Sequence, residues 1–185
     1  MPKPKVIIVG ADKGGVGKTM LSRCLLDYLK SKGIEHRAFD TETPAGVLKR
    51  FYFGAELVDL ADSDGQMRVF DDLGQGITVV DIRARLLTDT IKLLAEIGFL
   101  DSSKCEIVVM HVLGNSRASI DEVQAVTAAI AGSRYVPVGN RINATKFDFP
   151  AEALDIPPLD PKACGAVDGA GAPFADFING PASPV

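Results

Sequence analysis

The sequence has few cysteines, and their spacing suits neither cross-linking nor zinc binding. Of its 185 residues, three are cysteines: Cys24, Cys105 and Cys164. They lie far apart, form no Cys-x-x-Cys pair and have no histidine at zinc-ligand spacing. A disulfide framework and a structural zinc site are therefore disfavoured, and this cysteine usage is typical of a reducing cytoplasm.

Long apolar stretches are also missing. No apolar run approaches the roughly 20 residues that a membrane-spanning helix needs. The run Val6–Val9 near the start is too short for a secretory signal. The formal net charge of −4 excludes the bulk positive field of a DNA-coating protein. We therefore expect a cytoplasmic protein with no membrane partner.

The composition that remains, 46% hydrophobic and 24% charged, is typical of one domain with a sizeable core. Short apolar runs predict strands at Lys5–Val9, Ile34–Phe39, Ile77–Ile82, Cys105–Leu113 and Tyr135–Val138. Apolar residues at helical spacing predict helices at Lys18–Ser31, Leu86–Ile97 and Arg117–Ala131. This alternation predicts parallel βαβ units, and hence a doubly wound, mostly parallel α/β sheet flanked by helices.

The stretch between the second and third strands has a weaker pattern. Residues 45–72 predict a short helix over Val47–Tyr52, a minor strand near Leu57–Leu60 and a further short helix. The sequence therefore gives no strong expectation for how this stretch packs.

The composition shifts beyond Pro150, where 18 of the last 35 residues are Ala, Gly or Pro. We expect one domain over residues 1–160 and a partly flexible C-terminal segment over residues 161–185. Flexibility is expected at Gly165–Pro173, and Phe174–Ile178 is expected to dock as a last short turn.

The most specific signal is a glycine- and lysine-rich loop directly after the first strand. It reads Gly10-Ala11-Asp12-Lys13-Gly14-Gly15-Val16-Gly17-Lys18-Thr19. Glycines let the backbone curl close to a polyphosphate and aim amide donors at its oxygens. The N-terminus of the following helix adds a partial positive charge, Lys18 reaches the β and γ phosphates, and the Thr19 hydroxyl binds Mg²⁺. The loop therefore predicts nucleotide binding.

The loop departs from the ordinary phosphate-loop pattern, because Asp12 replaces its first glycine and Lys13 adds a second lysine. In this form it resembles the deviant Walker A loop of the ParA/MinD family of P-loop ATPases. That family includes plasmid- and chromosome-partition ATPases, cell-division positioning ATPases and the nitrogenase iron protein. The resemblance covers roughly residues 4–160 and looks most like small ParA-type proteins of plasmid stability and conjugative transfer loci.

The resemblance implies a single-domain P-loop NTPase fold, with ATP or ADP and Mg²⁺ as cofactors. It also implies an ATP-dependent homodimer in which Lys13 reaches across to the partner's phosphates. A second cation there would neutralise charge that develops on the γ-phosphoryl group, as an arginine finger does.

Acidic residues follow two of the predicted strands. Asp40-Thr41-Glu42-Thr43-Pro44 resembles the Asp-x-Asp-Pro segment of the family, in which the acids lie near Mg²⁺ and the attacking water. Glu42 replaces the second aspartate, and its extra methylene displaces the carboxylate, so we expect slow hydrolysis. Asp81 ends an apolar strand in the Walker B pattern and is expected to hold Mg²⁺ through water. The expected catalytic residues are Lys13, Lys18, Asp40 and Glu42, and the expected metal-site residues are Thr19, Asp40 and Asp81.

The adenine base is expected near the end of the fifth predicted strand. Gly139-Asn140-Arg141 resembles the Asn-Arg segment of the family, in which the asparagine amide reads the adenine edge. Ile156-Pro157-Pro158-Leu159 resembles an Ile-Pro that packs beside the base. The expected nucleotide-binding residues are therefore Lys13, Gly14, Gly15, Val16, Gly17, Lys18, Thr19, Met20, Asn140, Arg141 and Pro157.

The segment after Asp81 departs from the family, which usually has Thr/Ser-Pro or glycine there. It reads Ile82-Arg83-Ala84-Arg85. The two arginines either contact phosphate, a dimer partner or DNA, or are a solvated pair. Nonspecific DNA binding through them, together with Lys49 and Arg50, stays open.

Three functions remain. The first is an ATPase switch whose Mg-ATP-bound dimer engages an adaptor protein, cargo or DNA, in plasmid partition, cargo positioning or conjugative transfer. The second is a nucleotide-binding regulatory module that does not hydrolyse. The third is a small-molecule ligase of the dethiobiotin-synthetase type, which shares the fold but lacks the Lys-Gly-Gly signature.

Overall fold

The computed structural model describes residues 3–71, 73–74, 76–100, 105–114, 116–130, 132–141, 148–158 and 160–179. Its strands are β1 (Lys5–Gly10), β2 (His36–Asp40), β3 (Glu56–Leu57), β4 (Ile77–Asp81), β5 (Glu106–Leu113), β6 (Arg134–Asn140) and β7 (Leu154–Ile156). Its helices are α1 (Lys18–Ser31), α2 (Ser63–Phe70), α3 (Leu87–Glu96), α4 (Arg117–Ala129), α5 (Pro161–Ala170) and α6 (Phe174–Asn179). None of these helices combines the length and the apolar character needed to traverse a bilayer.

The strands form one parallel sheet in the order β3-β2-β4-β1-β5-β6-β7. Strand β1 pairs with β4 on one side and β5 on the other. Its side chains alternate between two cores: Val6 and Ile8 lie in one, and Ile7 and Val9 in the other. Burial on both faces explains why this strand is a continuous apolar run. The predicted doubly wound α/β sheet is confirmed.

Strand β6 is longer than the predicted Tyr135–Val138. Pro137 lies inside it, opposite His111 of β5. Strand β7 pairs with β6 only from Val138 onward, so at Pro137 the strand has a neighbour on the β5 side alone. A proline is tolerated where one side of a strand has no ladder partner.

The helix predicted over Val47–Tyr52 is wrong. The segment consists of turns, and the amides of Phe51 and Tyr52 both donate to the carbonyl oxygen of Leu48 at 2.9 Å. Leu48 and Phe51 are buried by these turns, which explains their helix-like apolar spacing. Asp40 at the end of β2 accepts the Lys49 amide at 3.0 Å, which holds the segment in its folded-back path.

The C-terminal region is more regular than its composition suggested. Residues 165–170, which we expected to be flexible, belong to α5. The sequence carries the local signals for α5. Asp160 caps its N-terminus by accepting the amides of Lys162 and Ala163 at 2.9 Å, and Pro161 lies in its first turn. Gly171, with φ 59°, ends the helix. Phe174–Ile178, expected as a docked turn, lies within α6.

Arg23 holds the C-terminal helices α5 and α6 against its own helix, α1. Its guanidinium lies 3.7 Å from the ring centre of Phe51 and 4.1 Å from that of Phe174. It donates to Asp168 Oδ1 at 2.9 Å and to the carbonyl oxygen of Ala172 at 3.2 Å. Arg23 is only 5% exposed, so these contacts are made largely out of solvent.

Replacing Arg23 with alanine is expected to loosen α5 and α6 from α1, because it removes two hydrogen bonds and both ring contacts. We expect the free energy of unfolding to fall by about 2–3 kcal/mol, and hydrogen exchange to speed up mainly in α5 and α6. The control is Lys30→Ala, which removes only an exposed pair with Asp176 and is expected to cost about 0.5 kcal/mol or less. Equal effects of the two variants would contradict this role of Arg23.

Candidate phosphate-binding site

The loop between β1 and α1 has the backbone geometry of an anion-binding loop. Gly15 and Gly17 adopt φ of 74° and 95°, in the left-handed region that favours glycine. Gly17 caps α1, since its carbonyl accepts the Leu21 amide at 3.1 Å. The amides that begin α1 have no side-chain cap at Gly17. The loop therefore carries free helix N-terminal donors at the carboxyl edge of the sheet.

Val16 fixes the middle of this loop from inside the protein. It is buried, and the Asn140 side chain donates to its carbonyl oxygen at 2.9 Å. A Cβ at Gly114 would lie 2.6 Å from Val16 Cγ1, so only glycine fits there. The Gly114 amide in turn donates to Ser119 Oγ at 2.8 Å. Neither Gly114 nor Ser119 was predicted from the sequence to belong to the site.

A buried carboxylate joins α1 to β4. Thr19 Oγ1 donates to Asp81 Oδ2 at 2.8 Å, and Ser22 Oγ donates to Asp81 Oδ1 at 3.0 Å. Asp81 is 4% exposed, and burial raises its pKa to about 7, with the neighbouring Asp40 adding to the rise. The two hydroxyl donors and Lys18 oppose that rise. The structure thus brings Thr19, Lys18 and Asp81 together as predicted.

Lys18 is the cation at the centre of the site. Burial lowers its pKa, and four carboxylates oppose this, in decreasing order Asp81, Glu42, Glu122 and Asp12. Its ammonium nitrogen lies 3.5 Å from the carbonyl oxygen of Lys13. A partly buried cation within reach of several carboxylates and loop amides is suited to binding a polyanion with a metal ion. Lys13 itself is exposed, as are Gly14 and Gly15.

Each carboxylate oxygen of Asp40 accepts one amide of the loop that follows it. Its Oδ1 accepts the Glu42 amide at 2.9 Å, and its Oδ2 accepts the Lys49 amide at 3.0 Å. Asp40 pairs in register with Asp81 across β2 and β4. The hydrogen bonds make Asp40 a brace of the 41–49 loop. Its predicted catalytic and metal-binding roles, and the catalytic role of the half-buried Glu42, stay predictions.

Asp12 has a structural reason to replace the first glycine of the ordinary loop. Its carboxylate accepts hydrogen bonds from the amide and the hydroxyl of Thr88 at the start of α3. Its carbonyl oxygen accepts the Arg85 amide at 2.9 Å. Arg85 has φ of 71°, a strained value for a residue other than glycine, and strain of this kind clusters at functional sites. Arg83 and Arg85 are both exposed.

The residues expected around the base lie side by side at the ends of β6 and β7: Asn140 pairs in register with Ile156, and the Arg141 amide donates to the Ile156 carbonyl oxygen at 3.1 Å. Their role in binding a base stays a prediction. Asn140 is 2% exposed and its amide nitrogen is bonded to Val16. Arg141 pairs with Asp155 at 2.7 Å and lies over the ring of Phe149. Pro157 is exposed, and Leu159 lies outside the described residues.

A cavity of about 270 Å³ opens beside Met20. It lies between α1 and the C-terminal helices and is lined by Met20, Arg23, Asp160, Ala163, Cys164, Val167, Asp168 and Phe174. Its lining is mostly apolar, and it begins one residue after Thr19. The sequence predicted only Met20 of this set.

The architecture is shared with several solved structures. A putative plasmid partition protein from Borrelia burgdorferi B31, bound to AMPPNP, aligns with TM-score 0.60 and 13% identity over 92% of this chain and 91% of that chain. The MinC:MinD cell division complex of Aquifex aeolicus gives TM-score 0.59 and 16% identity over 98% of both chains. MinD of Pyrococcus horikoshii with Mg-ADP gives 0.53 and 18% over 91% and 86%.

The chain has a MinD-like P-loop NTPase fold. Identities this low establish the fold and leave the activity open. No protein-family model and no curated protein sequence matches the chain.

The donors at the phosphate loop of this MinD-like fold suit Mg²⁺. Across the described ranges, no three or more His, Cys, Asp or Glu residues form a metal-binding cluster. Mg²⁺ does not need one, because it keeps several waters and is usually held by one or two protein oxygens and substrate phosphates. The Thr19 hydroxyl and the Asp81 carboxylate, 2.8 Å apart, are hard oxygen ligands of that kind.

The raised pKa of Asp81 predicts an unusual pH dependence of stability for the nucleotide-free protein. In the unfolded chain Asp81 loses its proton near its ordinary pKa of 3.8, while the folded protein keeps it up to about pH 7. The free energy of unfolding should therefore fall as pH rises through that window, by up to about 4 kcal/mol from this group. Asp81→Asn should remove this fall, so its stability relative to wild type should grow between pH 4 and 8.

Urea unfolding across that pH range, without nucleotide or metal, measures the difference. Asp89→Asn on the exposed surface of α3 is the matched control and is expected to leave the slope unchanged. A difference between Asp81→Asn and wild type that stays constant with pH would refute the burial of a protonated Asp81.

Proposed function

We propose that this protein is a Mg-ATP-binding switch that dimerises with nucleotide and hydrolyses it slowly. The observation that carries the proposal is the phosphate loop: two left-handed glycines, uncapped α1 amides, a half-buried Lys18 and a Thr19–Asp81 pair converge at one edge of a MinD-like sheet. The relatives in fold support it, since their solved structures hold AMPPNP and Mg-ADP.

In this proposal the loop amides and Lys18 bind the β and γ phosphates, while Thr19 and Asp81 hold the magnesium ion, directly and through water. Bound magnesium would neutralise phosphate charge and fix the phosphate geometry. Lys18 is already partly desolvated, and the incoming anion would favour its charged form. Binding would also favour the charged form of Asp81.

Lys13 is the residue for dimerisation. It lies on the exposed side of the loop, while Lys18 lies on the inner side. The loop therefore presents Lys18 to its own nucleotide and Lys13 to solvent. A second copy of the chain that docks there would place the phosphates of its nucleotide beside Lys13. In the switch, two chains close around two nucleotides to form a dimer. An adaptor protein, cargo or DNA in plasmid partition or conjugative transfer would bind this dimer.

Slow hydrolysis follows from the 40–42 segment. Asp40 is occupied by two loop amides, which leaves Glu42 to orient water from a longer side chain. The same observation favours a second candidate, a regulatory module that binds nucleotide without hydrolysing it. Release of inorganic phosphate separates the two: turnover lost in Glu42→Ala and retained in Glu42→Asp supports the slow ATPase, and no turnover in wild type supports the module.

The nucleoside would lie against the cavity beside Met20. This cavity begins one residue after Thr19 and has a mostly apolar lining, as small-molecule pockets do. Ala163→Trp is expected to fill it and to weaken ATP binding about tenfold or more, while binding of inorganic triphosphate changes little. Competition titrations measure both, with Ala166→Trp as the control. Equal losses for ATP and triphosphate would refute this placement.

Sedimentation velocity tests the switch. With Mg-ATP, or with a nonhydrolysable analogue, wild type is expected to shift from monomer to dimer, and with ADP to return to monomer. Lys13→Ala is expected to bind nucleotide and to stay monomeric at the protein concentration at which wild type dimerises, with a residual dimer only at much higher concentration, because the cation lent to the partner is gone. Lys18→Ala is expected to lose nucleotide binding by about a hundredfold.

The control for both variants is Lys92→Ala, which removes an exposed lysine of α3. It should leave binding and dimerisation at wild-type values. A Lys13→Ala protein that dimerises normally with ATP would contradict the crossed-lysine arrangement, and a permanent monomer in all nucleotide states would contradict the switch.

A further inference from the structure

Glu122, on α4, contacts the start of the phosphate loop. Its Oε2 accepts the backbone amide of Asp12 at 3.0 Å. The amide of Lys13 also lies close enough to favour the charged form of this carboxylate. One carboxylate from a distant helix therefore faces two successive amides at the start of the loop.

We propose that Glu122 is a positioning residue for Lys13: its carboxylate fixes the backbone of residues 12 and 13, and thereby presents the Lys13 ammonium to the phosphates of a nucleotide held by a second copy of the chain. The inference rests on the proposed dimerising switch and adds to it the residue that prepares the crossed lysine.

Apart from this contact, the described residues offer the Lys13 backbone one weak restraint, since its carbonyl oxygen lies 3.5 Å from the Lys18 ammonium nitrogen. The Lys13 side chain is exposed, and the glycines that follow it, Gly14 and Gly15, leave the backbone free to rotate. On the other side, Asp12 is tied to Thr88 and Arg85. Glu122 extends that restraint by one residue, to the lysine. Ordering the lysine before the partner arrives reduces the entropy lost on association.

Glu122 lies next to a buried histidine, His111, which is hydrogen-bonded to Tyr135. His111 is fully buried, and its Nε2 lies 3.5 Å from Glu122 Oε2. Burial lowers the pKa of His111 to about 4, so at neutral pH the two groups are not an ion pair. Tyr135 Oη lies 3.0 Å from His111 Nδ1. At 3.5 Å from Glu122 Oε2, the buried Nε2 makes no hydrogen bond among the described residues, so His111 contacts the carboxylate by packing.

This arrangement makes Glu122 hard to explain as a surface residue. Its side chain is 17% exposed, and burial raises the pKa of its carboxyl, opposed by the amides of Lys13 and Asp12 and by Lys18. A half-buried carboxylate next to an anion-binding loop also repels the phosphates it lies near. Its presence there is explained if the hydrogen bonds that it accepts from the loop amides favour the site more than its charge weakens nucleotide binding.

Two substitutions separate the contact from the charge. Glu122→Ala and Glu122→Gln both remove the negative charge, but the glutamine keeps an oxygen that accepts the loop amides. Their effects on nucleotide affinity through charge alone are therefore matched, and any difference between them reports the contact. Asp121→Ala, one position earlier on α4 and exposed, is the control for general damage to the helix.

The first measurement is hydrogen exchange of the nucleotide-free monomer. Glu122→Ala is expected to speed exchange of the Asp12 and Lys13 amides about tenfold, as for one lost charge-assisted hydrogen bond. In Glu122→Gln the exchange rates of these amides are expected to stay within about threefold of wild type. In Asp121→Ala they are expected to equal the wild-type rates. Unchanged exchange in Glu122→Ala would overturn the contact.

The second measurement is a double-mutant cycle with Lys13, read by ATP-dependent dimerisation. Glu122→Ala is expected to weaken the dimer about tenfold, while the affinity of the monomer for nucleotide changes by less than about threefold. Glu122→Gln is expected to restore most of the loss. In a Lys13→Ala background, Glu122→Ala is expected to have no further effect, because there is no ammonium left to position.

A merely supporting glutamate would give additive losses in that cycle and no rescue by glutamine, and either result would overturn the proposal. Failure of the switch itself looks different. In that case wild type does not dimerise with ATP at all, whereas failure of this inference alone leaves a wild-type dimer that Glu122→Ala does not disturb.

Discussion

The site depends on one buried carboxylate bonded to two hydroxyls. Asp81 ends β4 in the centre of the sheet, and Thr19 and Ser22 reach it from the first two turns of α1. This pair of hydrogen bonds fixes where α1 starts relative to the strand edge, and hence where its free amides point. A negative charge on the buried Asp81 is costly, and burial raises the pKa of its carboxyl to about 7. A cation that binds beside Asp81 would offset this cost and favour the charged form.

The rest of the loop is held by elements far apart in the chain. Asn140 of β6 and Gly114 after β5 fix Val16, Thr88 of α3 fixes Asp12, and Glu122 of α4 reaches the loop amides. Parallel βαβ topology makes this possible, because the carboxyl ends of β1, β4, β5 and β6 all meet at one edge of the sheet. A short loop is thus preorganised by long-range contacts, and a preorganised loop binds its anion without first paying for its own ordering.

Sequence reasoning predicted the fold, and it placed the glycine- and lysine-rich loop at one edge of the sheet, because both leave strong local signals. Strand β1 has a continuous apolar run, Val6–Val9, since it is buried on both faces, and the loop that contains Gly17-Lys18-Thr19 follows this strand. The signals failed where long-range packing decides. Leu48 and Phe51 have helical spacing but are buried by turns that Asp40 braces. Asn140 also donates to the carbonyl oxygen of Val16, a contact that no local pattern indicates, and its role at the base stays a prediction. Glu122 carries no local signal, because its partner lies 110 positions away.

The most direct test of the account is a calorimetric titration of the purified protein with ATP and magnesium. The account predicts saturable heat with one site per chain, lost when Lys18 is replaced by alanine and weakened when magnesium is withheld. No heat with any adenine or guanine nucleotide in the presence of magnesium would contradict it.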